Sequence, residues 1–347
     1  MPQMEIVKAY TKQDIAKLTR KRNGEEKVGE VVTSVVKNWQ QDLKNSTCKF
    51  VILGIAEDIG VRANYGRAGA STAFIPALDS FLNQQNNDFF TANSIFILGE
   101  VFVDDLMEQA SQLNIKSADD VAALRDLVLI IDERVSAVIK FIVGLNKIPI
   151  VIGGGHNNAF GNIKGSSEAR SQKINVINCD PHLDFRAHEG RHSGNGFSYA
   201  YERGFLSKYA VFAMHEQYNN QNALNIFKTN PTNLFYNTYE SIFVREELDM
   251  SKALKQAIHF VKHEACGVEI DLDAITNVPS SAKTSSGISP TQARQYVYQC
   301  ARQLNTLYLH IAEGAPVLSH IKADNKTGKL VAYLITDFLK GCQRFES

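Results

Sequence analysis

Residues 174–199 read INVINCDPHLDFRAHEGRHSGNGFSY, and the fold follows from how this stretch changes character. Ile174 to Cys179 is an apolar, β-forming run, after which Asp180, His182 and Asp184 come at alternate positions and a loop rich in Gly, His and Arg follows. Residues two apart on an extended segment point the same way, so these three metal-type side chains face one pocket. The pocket lies where a buried strand leaves its sheet.

Two other stretches share this grammar. IPIVIGGGHNNAFGN, residues 148–162, is a β-branched run that ends in three glycines and His156, and CGVEIDLDAI, residues 266–275, ends in Asp271 and Asp273. A parallel sheet would gather all three exits along one edge, where open α/β sheets bind ligands. The strands between them support that sheet: Phe50–Leu53, Ser94–Leu98, Tyr209–Ala213, Asn233–Tyr236 and Thr306–Ile311. The last of these exits at Glu313.

Helical signals alternate with the strands. Thr11 with Asp14 and Ser117 with Asp120 read as helix starts, and Ser289 with Pro290 as an N-cap and first-turn proline. Apolar positions from Val121 to Ile142 keep the 3.6-residue period. Further helices are expected from Lys252 to His263 and from Leu330 to Leu339, and Val28, Val31, Val32, Val35 and Trp39 suggest a helical stripe packed on the sheet. GIAEDIGVRANYGRAGA, residues 54–70, is either a functional loop over the active edge or a structural crossover. The fold class is α/β: a mostly parallel sheet with helices on both faces and right-handed crossovers.

Composition narrows the function. With 37 basic and 37 acidic residues among 347, the net charge is zero, which argues against nucleic acid or an anionic membrane as the main partner. The start, MPQMEIVKAYTKQD, lacks the apolar core of a signal peptide, and no run approaches the roughly 20 apolar residues of a membrane span. A cytoplasmic protein is expected. Its five cysteines, Cys48, Cys179, Cys266, Cys300 and Cys342, show no C-x-x-C pair and suit reduced thiols.

The candidate metal ligands are His156, Asp180, His182, Asp184, Asp271 and Asp273. Four crowded carboxylates repel one another unless cations neutralise them, and two divalent ions carry the matching charge. Oxygen and imidazole donors without thiolate favour manganese-like ions over structural zinc. Two such ions roughly 3.5–4 Å apart lower the pKa of a shared water, so hydrolysis is the expected chemistry. A lone His or D-x-D is more often a surface or capping feature; six candidates at three strand exits are not. His188, His192 and the His215–Glu216 pair are open to bland readings, and His259 and His263, without an H-E-x-x-H pattern, read as exposed.

Together GGGHNN, DPHLDFR and EIDLDAI resemble the arginase, agmatinase and formimidoylglutamase family, the ureohydrolases, over about residues 50 to 320 and with all six ligand positions filled. The resemblance implies one three-layer α/β/α domain over residues 1–347, built on an eight-stranded sheet, with residues 1–47 a helical extension packed on it. It implies a homo-oligomer, a trimer or hexamer, with two Mn2+ per chain. One ion would be held by His156, Asp180, Asp184 and Asp271, the other by Asp180, His182, Asp271 and Asp273. The implied substrate is a small amidino or guanidino amino acid, cleaved at a C–N bond by hydroxide that Asp273 accepts a hydrogen bond from. Glu313, in HIAEGAP, would hold the cationic amidine.

One departure bears on the substrate. Where arginases carry a proton-shuttling His two residues after SGN, this chain has Phe197, and Asn157 stands where many relatives have an acidic or other polar residue. His192 is then a candidate stand-in for the shuttle, and Ser193 and Asn195 are candidate substrate contacts. Arg186 stands where arginases place a neutral Asn, and Arg191 lies in the same loop. Either arginine can recognise an acidic tail or form a structural ion pair, for example with Glu189. The leading expectation is a formimidoylglutamase-like enzyme, ahead of an arginase, agmatinase or other guanidino-acid hydrolase, and ahead of a metal-binding protein without turnover.

Overall fold

The computed structural model describes residues 6–319 and 325–344; the remainder of the expected 1–347 span lies outside the described residues. Ten strands join one sheet: β1 (Val7–Ala9), β2 (Thr33–Ser34), β3 (Phe50–Gly54), β4 (Ile95–Val101), β5 (Ile148–Ile152), β6 (Ile174–Cys179), β7 (Leu206–Met214), β8 (Leu234–Thr238), β9 (Cys266–Asp271) and β10 (Thr306–Ala312). Their order is β1-β4-β3-β5-β10-β9-β6-β7-β8, with β2 also paired to β4. From β4 to β8 all eight strands run parallel. The expected eight-stranded parallel sheet is therefore present, and β1 (antiparallel) and β2 enlarge it at the β4 edge.

Alternation of side chains sorts the core onto two faces. Phe50, Ile52, Ile150, Ile152, Ile270 and Ile311 pack with helices 74–82, 250–261, 290–303 and 326–344. Val51, Leu53, Val151 and Val176 pack on the other face with helices 39–45, 118–144 and 158–170. Three expected helix starts hold: Thr11 and Ser289 make capping boxes, and Ser117 accepts the Asp120 N–H.

The N-terminal region departs from expectation. The stripe from Val28 to Trp39 is not one helix: a single turn spans Val28–Val31, β2 follows, and a new helix spans Trp39–Asn45. Thr33 and Ser34 pair with Phe96 and Ile97 at a sheet edge, a place that suits a segment dense in β-branched residues. Asp42 then gathers the N–H groups of Val36, Lys37 and Asn38 at 2.8, 2.9 and 3.1 Å. Val36 is exposed. The extension is thus mixed, supplying β1 and β2 as well as helices.

Helix 158–170, NAFGNIKGSSEAR, has no apolar stripe to announce it, because its interior face is made of small residues. Gly161 and Gly165 lie against helix 118–144 so closely that a Cβ at 165 would come 2.5 Å from the Ser136 carbonyl oxygen. Backbone cannot yield there as a side chain can. Gly165→Ala is expected to lower Tm by a few degrees, since an overpacking cost toward the top of the roughly 1–3 kcal/mol range exceeds the gain of about 1 kcal/mol in helix propensity. A thermal melt that is unchanged or raised would contradict this packing.

Candidate active site

Four neighbouring strands, β5, β10, β9 and β6, deliver the candidate residues at their carboxyl ends. Their registers are level: Ile152 pairs with Ile311, Ile311 with Ile270, and Ile270 with Cys179. Residues just beyond these positions therefore meet. His156 Nδ1 lies 3.0 Å from Asp180 Oδ2, 3.1 Å from Asp184 Oδ2 and 3.2 Å from Asp271 Oδ2. These four form one group of potential ligands, and His182, Asp271 and Asp273 form a second that shares Asp271. Asp180 reaches toward the second group as well, its Oδ1 accepting the His182 N–H at 2.7 Å and lying 3.4 Å from His182 Nδ1.

The backbone bends to aim these side chains. Gly153 and Gly154 have φ of +85° and +74°, a conformation that glycine adopts without penalty. Asp184 and Glu313 adopt φ of 46° and 64° with side chains attached; such strain persists only where surrounding structure holds it. Glu57, fully buried between β3 and the short helix Ile59–Ala63, braces the segment that carries His156. Its carboxylate accepts from Gly155 N, Asn157 Nδ2 and Asn158 Nδ2 at 3.1, 3.1 and 2.5 Å, and from Ile59 N at 2.7 Å. Asn157 thus braces the loop, pointing its amide at Glu57.

Charge decides what the site accepts. Burial and like charge push the carboxyls of Asp271 and Asp184 up, and burial raises Asp273. Burial opposes charge on the imidazoles, but neighbouring carboxylates outweigh it, driving His156 well up and His182 to about 10. Protons here take the place of cations. A cluster of four aspartates and two imidazoles, buried and directed inward, fits two divalent ions, whose binding would release those protons.

Beside the cluster lies a cavity of about 450 Å3, lined by His182, Asp184, Asp271, Asp273 and Glu313, and also by Asn64, Arg186, Ser193, Tyr218, Asn219 and Asn220. Glu313 Oε1 accepts the His156 N–H at 2.7 Å, while Oε2 is buried without a partner. Burial, then the charge of Asp273, pushes this carboxyl up to about 8. Asp273 accepts from Ala282 N at 2.9 Å and Ser281 Oγ at 3.2 Å. Arg186 is the one Arg or Lys among the lining residues. Its guanidinium donates to Asn64 Oδ1 at 2.8 Å and Glu189 Oε1 at 3.0 Å.

Several expected contacts lie elsewhere. Arg191 is buried in a structural ion pair with Asp132, at 2.8 and 3.2 Å, and donates to Asn157 O and Asn195 Oδ1. Asn195 faces away from the cavity: its oxygen takes Arg191 and His192 N, and its amide donates to Gly190 O. His192 does not reach the cavity either. It is buried, with Nδ1 accepting the Gly194 N–H at 3.1 Å and Nε2 facing Glu189 at 3.2 Å, so it cannot stand in as a shuttle. Phe197 is buried behind the ligands, its ring edge-to-face with His156 at 5.2 Å and stacked on Tyr209 at 4.4 Å. His188 pairs with Glu202, His215 lies 3.4 Å from Glu240, and His259 and His263 are exposed.

Sequence reasoning missed Glu57, Asn64, Asp132, Glu269 and the 218–220 segment. Asn219 is tied to the ligand loop, its Oδ1 taking Leu183 N at 2.7 Å and its amide donating to Pro181 O at 3.0 Å. Only Glu57 carried a signal, as a carboxylate directly after a buried strand. Asn64 and Asp132 lie in helix or loop contexts that resemble many others.

The buried cap makes a pH test. His192 is held neutral, its pKa pushed down to about 3 by burial and then by Arg186, Arg125 and Arg191. The native state therefore binds fewer protons than the unfolded chain below the ordinary histidine pKa of about 6.5. This contribution is complete above that value and is lost as pH falls toward the folded pKa. In metal-free protein, acidification from pH 7 to 5.5 is expected to lose about 1 kcal/mol through this residue. His192→Asn, which keeps an acceptor for Gly194, should flatten that part of the urea-unfolding profile; identical slopes would show that the imidazole is not held neutral.

Comparison with known proteins bears on the same residues. The model of the arginase family matches residues 48–340, which contain every ligand candidate. A formimidoylglutamase of Streptococcus pyogenes is 25% identical over 298 residues, covering 82% of this chain and 82% of that protein. One of Streptococcus gordonii is 26% identical over 296 residues with the same coverage. The solved formimidoylglutamase of Bacillus subtilis superposes with a TM-score of 0.73 at 15% identity, over 93% of this chain and 94% of that one. Trypanosoma cruzi formiminoglutamase with Mn2+ gives 0.68 at 18%, over 91% and 98%. At these identities the structures speak for the fold alone.

Proposed function

The chain belongs to the arginase family, and on that premise we propose that it hydrolyses formimidoylglutamate to glutamate and formamide with two Mn2+ ions bound per chain. The observation that carries this reading is the pair of ligand groups joined at Asp271, facing a cavity in which Arg186 is the one Arg or Lys among the described lining residues. Two divalent ions bound there would supply a water activated for attack on an amidine carbon. His156, Asp180, Asp184 and Asp271 would hold one ion, and His182, Asp271, Asp273 and Asp180 the other.

The remaining chemistry is assigned to side chains of this chain. Glu313, with Oε2 unpartnered, offers a charge-assisted hydrogen bond to the cationic amidine. Asp273, steadied by Ala282 and Ser281, can take a proton from the attacking water. Arg186 presents a planar donor pair to a substrate carboxylate, a match that lysine or asparagine does not reproduce. Ser193 lies beside it, bonded to Asn64 at 3.2 Å. Formimidoylglutamate carries two carboxylates, and Phe197 offers no proton relay, so an acidic substrate with a small amide product suits the site better than arginine.

Among the described residues no helix is long and apolar enough to cross a membrane. All five cysteines are free and buried, which supports a cytoplasmic setting. We further propose a homo-oligomer, as the family resemblance implies.

Two measurements test the reading. With manganese-loaded protein, formamide release from formimidoylglutamate should exceed urea release from arginine, agmatine or guanidinobutyrate, and Arg186→Ala should raise KM for the dicarboxylate by the equivalent of roughly 0.5–1 kcal/mol, the scale of a solvated ion pair. Faster turnover of arginine, or an unchanged KM, would overturn the substrate assignment. Glu313→Gln should lower kcat severely while metal content stays at the parental level. Lost metal in that variant would place Glu313 among the ligands instead.

A further inference from the structure

Behind His156, on the side away from the cavity, three polar side chains are buried together: Glu269 on β9 with Tyr308 and His310 on β10. They arise from strand register. Gly267 pairs with Tyr308 and Glu269 with His310, so all project toward the face that carries helix 158–170. Gly267 opens the space for the phenol, since a Cβ at 267 would come 2.3 Å from the Tyr308 ring. The Tyr308 hydroxyl then donates to Glu269 Oε1 at 2.8 Å, and His310 Nδ1 lies 2.6 Å from Glu269 Oε2. His310 Nε2 is 3.4 Å from the carbonyl of Gly153, in the glycine run before His156.

A buried carboxylate so fully held needs a reason, because an apolar pair would occupy the same volume at lower desolvation cost. His156 supplies one. Its Nδ1 faces three aspartates and is the atom available to a metal. In a neutral imidazole bound through Nδ1 the proton sits on Nε2, which is buried and has no hydrogen-bond partner meeting ordinary geometry. The acceptor facing it is Glu269 Oε2, at 3.4 Å. The ring is also clamped from its sides, with Phe197 at 5.2 Å and His310 at 5.8 Å, both edge-to-face.

We propose that Glu269, fixed by Tyr308 and His310, is the positioning residue that selects the tautomer and orientation of His156 and so sets the affinity of one of the two metal positions. His156, Glu269 and His310 are themselves close enough to suggest a third ion, but both Glu269 oxygens are engaged by Tyr308 and His310. They support a ligand and do not form a further site. Asp271 touches His156 and is shared by both groups, but His182 and Asp273, the ligands proper to the second position, make no hydrogen bond or ion pair with His156, Glu269, Tyr308 or His310, so that position should depend on the trio far less.

The inference rests on the metal-centre reading, which the unmodified protein tests by itself. Stripped of metal and titrated with Mn2+, with free ion followed by electron paramagnetic resonance, the parent chain should bind two ions; binding of none overturns both readings, and binding of three overturns the assignment of the trio as support. Glu269→Gln preserves shape and removes charge. It should weaken one ion by about 10–100-fold, leave the other near its parental affinity, and leave the melting temperature of the metal-free protein within a few degrees. Parental affinity for both ions overturns the proposal, as does equal weakening of both with a lowered metal-free melt, the mark of a merely structural role. Should that variant fail to fold, Tyr308→Phe decides: it removes one support of the carboxylate and should weaken the same single ion by a smaller factor, and parental binding there is an overturning result.

Discussion

Four aspartates brought together at one edge of a sheet are the constraint on which the rest of this structure depends. Carboxylates this close and this buried cannot all hold their charge unaided, and the folded chain answers with imidazoles, backbone N–H groups and space for cations. Asp180 and Asp271 each take a backbone N–H two residues on, from His182 and Asp273 at 2.7 and 2.6 Å. Each strand exit thus folds back on its own first ligand. The same local turn that relieves charge also fixes where the second ligand points.

Much of this was legible in the chain. Period-two placement of Asp180, His182 and Asp184 after an apolar run, and of Asp271 and Asp273 after another, is a direct consequence of extended backbone, and the structure brings all six candidates together. The strands were legible because they are continuous apolar runs buried on both faces. What could not be read were features whose meaning lies across the sheet. Glu269 looks like any polar residue within a strand until His310 stands beside it in register. Helix 158–170 gave no periodic signal because close approach of small residues, and not an apolar stripe, seats it.

The 186–197 loop shows the opposite case, in which His192 and Asn195, read as facing the substrate, turn into the protein interior instead. Arg191, His192 and Asn195 form a buried lattice with Asp132 and Asn157. In this run of Gly, Arg and His the polar groups satisfy one another. Buried donors must find acceptors, and a short loop rich in both can supply them internally. The lattice places Ser193 and Arg186 at the cavity while keeping its own members from it.

The pairing of Arg186 with Glu189, two side chains that are 46% and 40% exposed, has a consequence for how tightly any acidic tail is held. A carboxylate arriving at Arg186 does not meet an unengaged guanidinium; it exchanges places with one already present. The free energy gained is then the difference between two similar ion pairs in a solvated setting, each worth little alone. Under the role proposed for Arg186, such an exchange would give neutral tails no advantage, since they would leave the resident pair intact, while keeping the hold on a charged tail loose enough for release. Discrimination and quick departure would then come from the same competition.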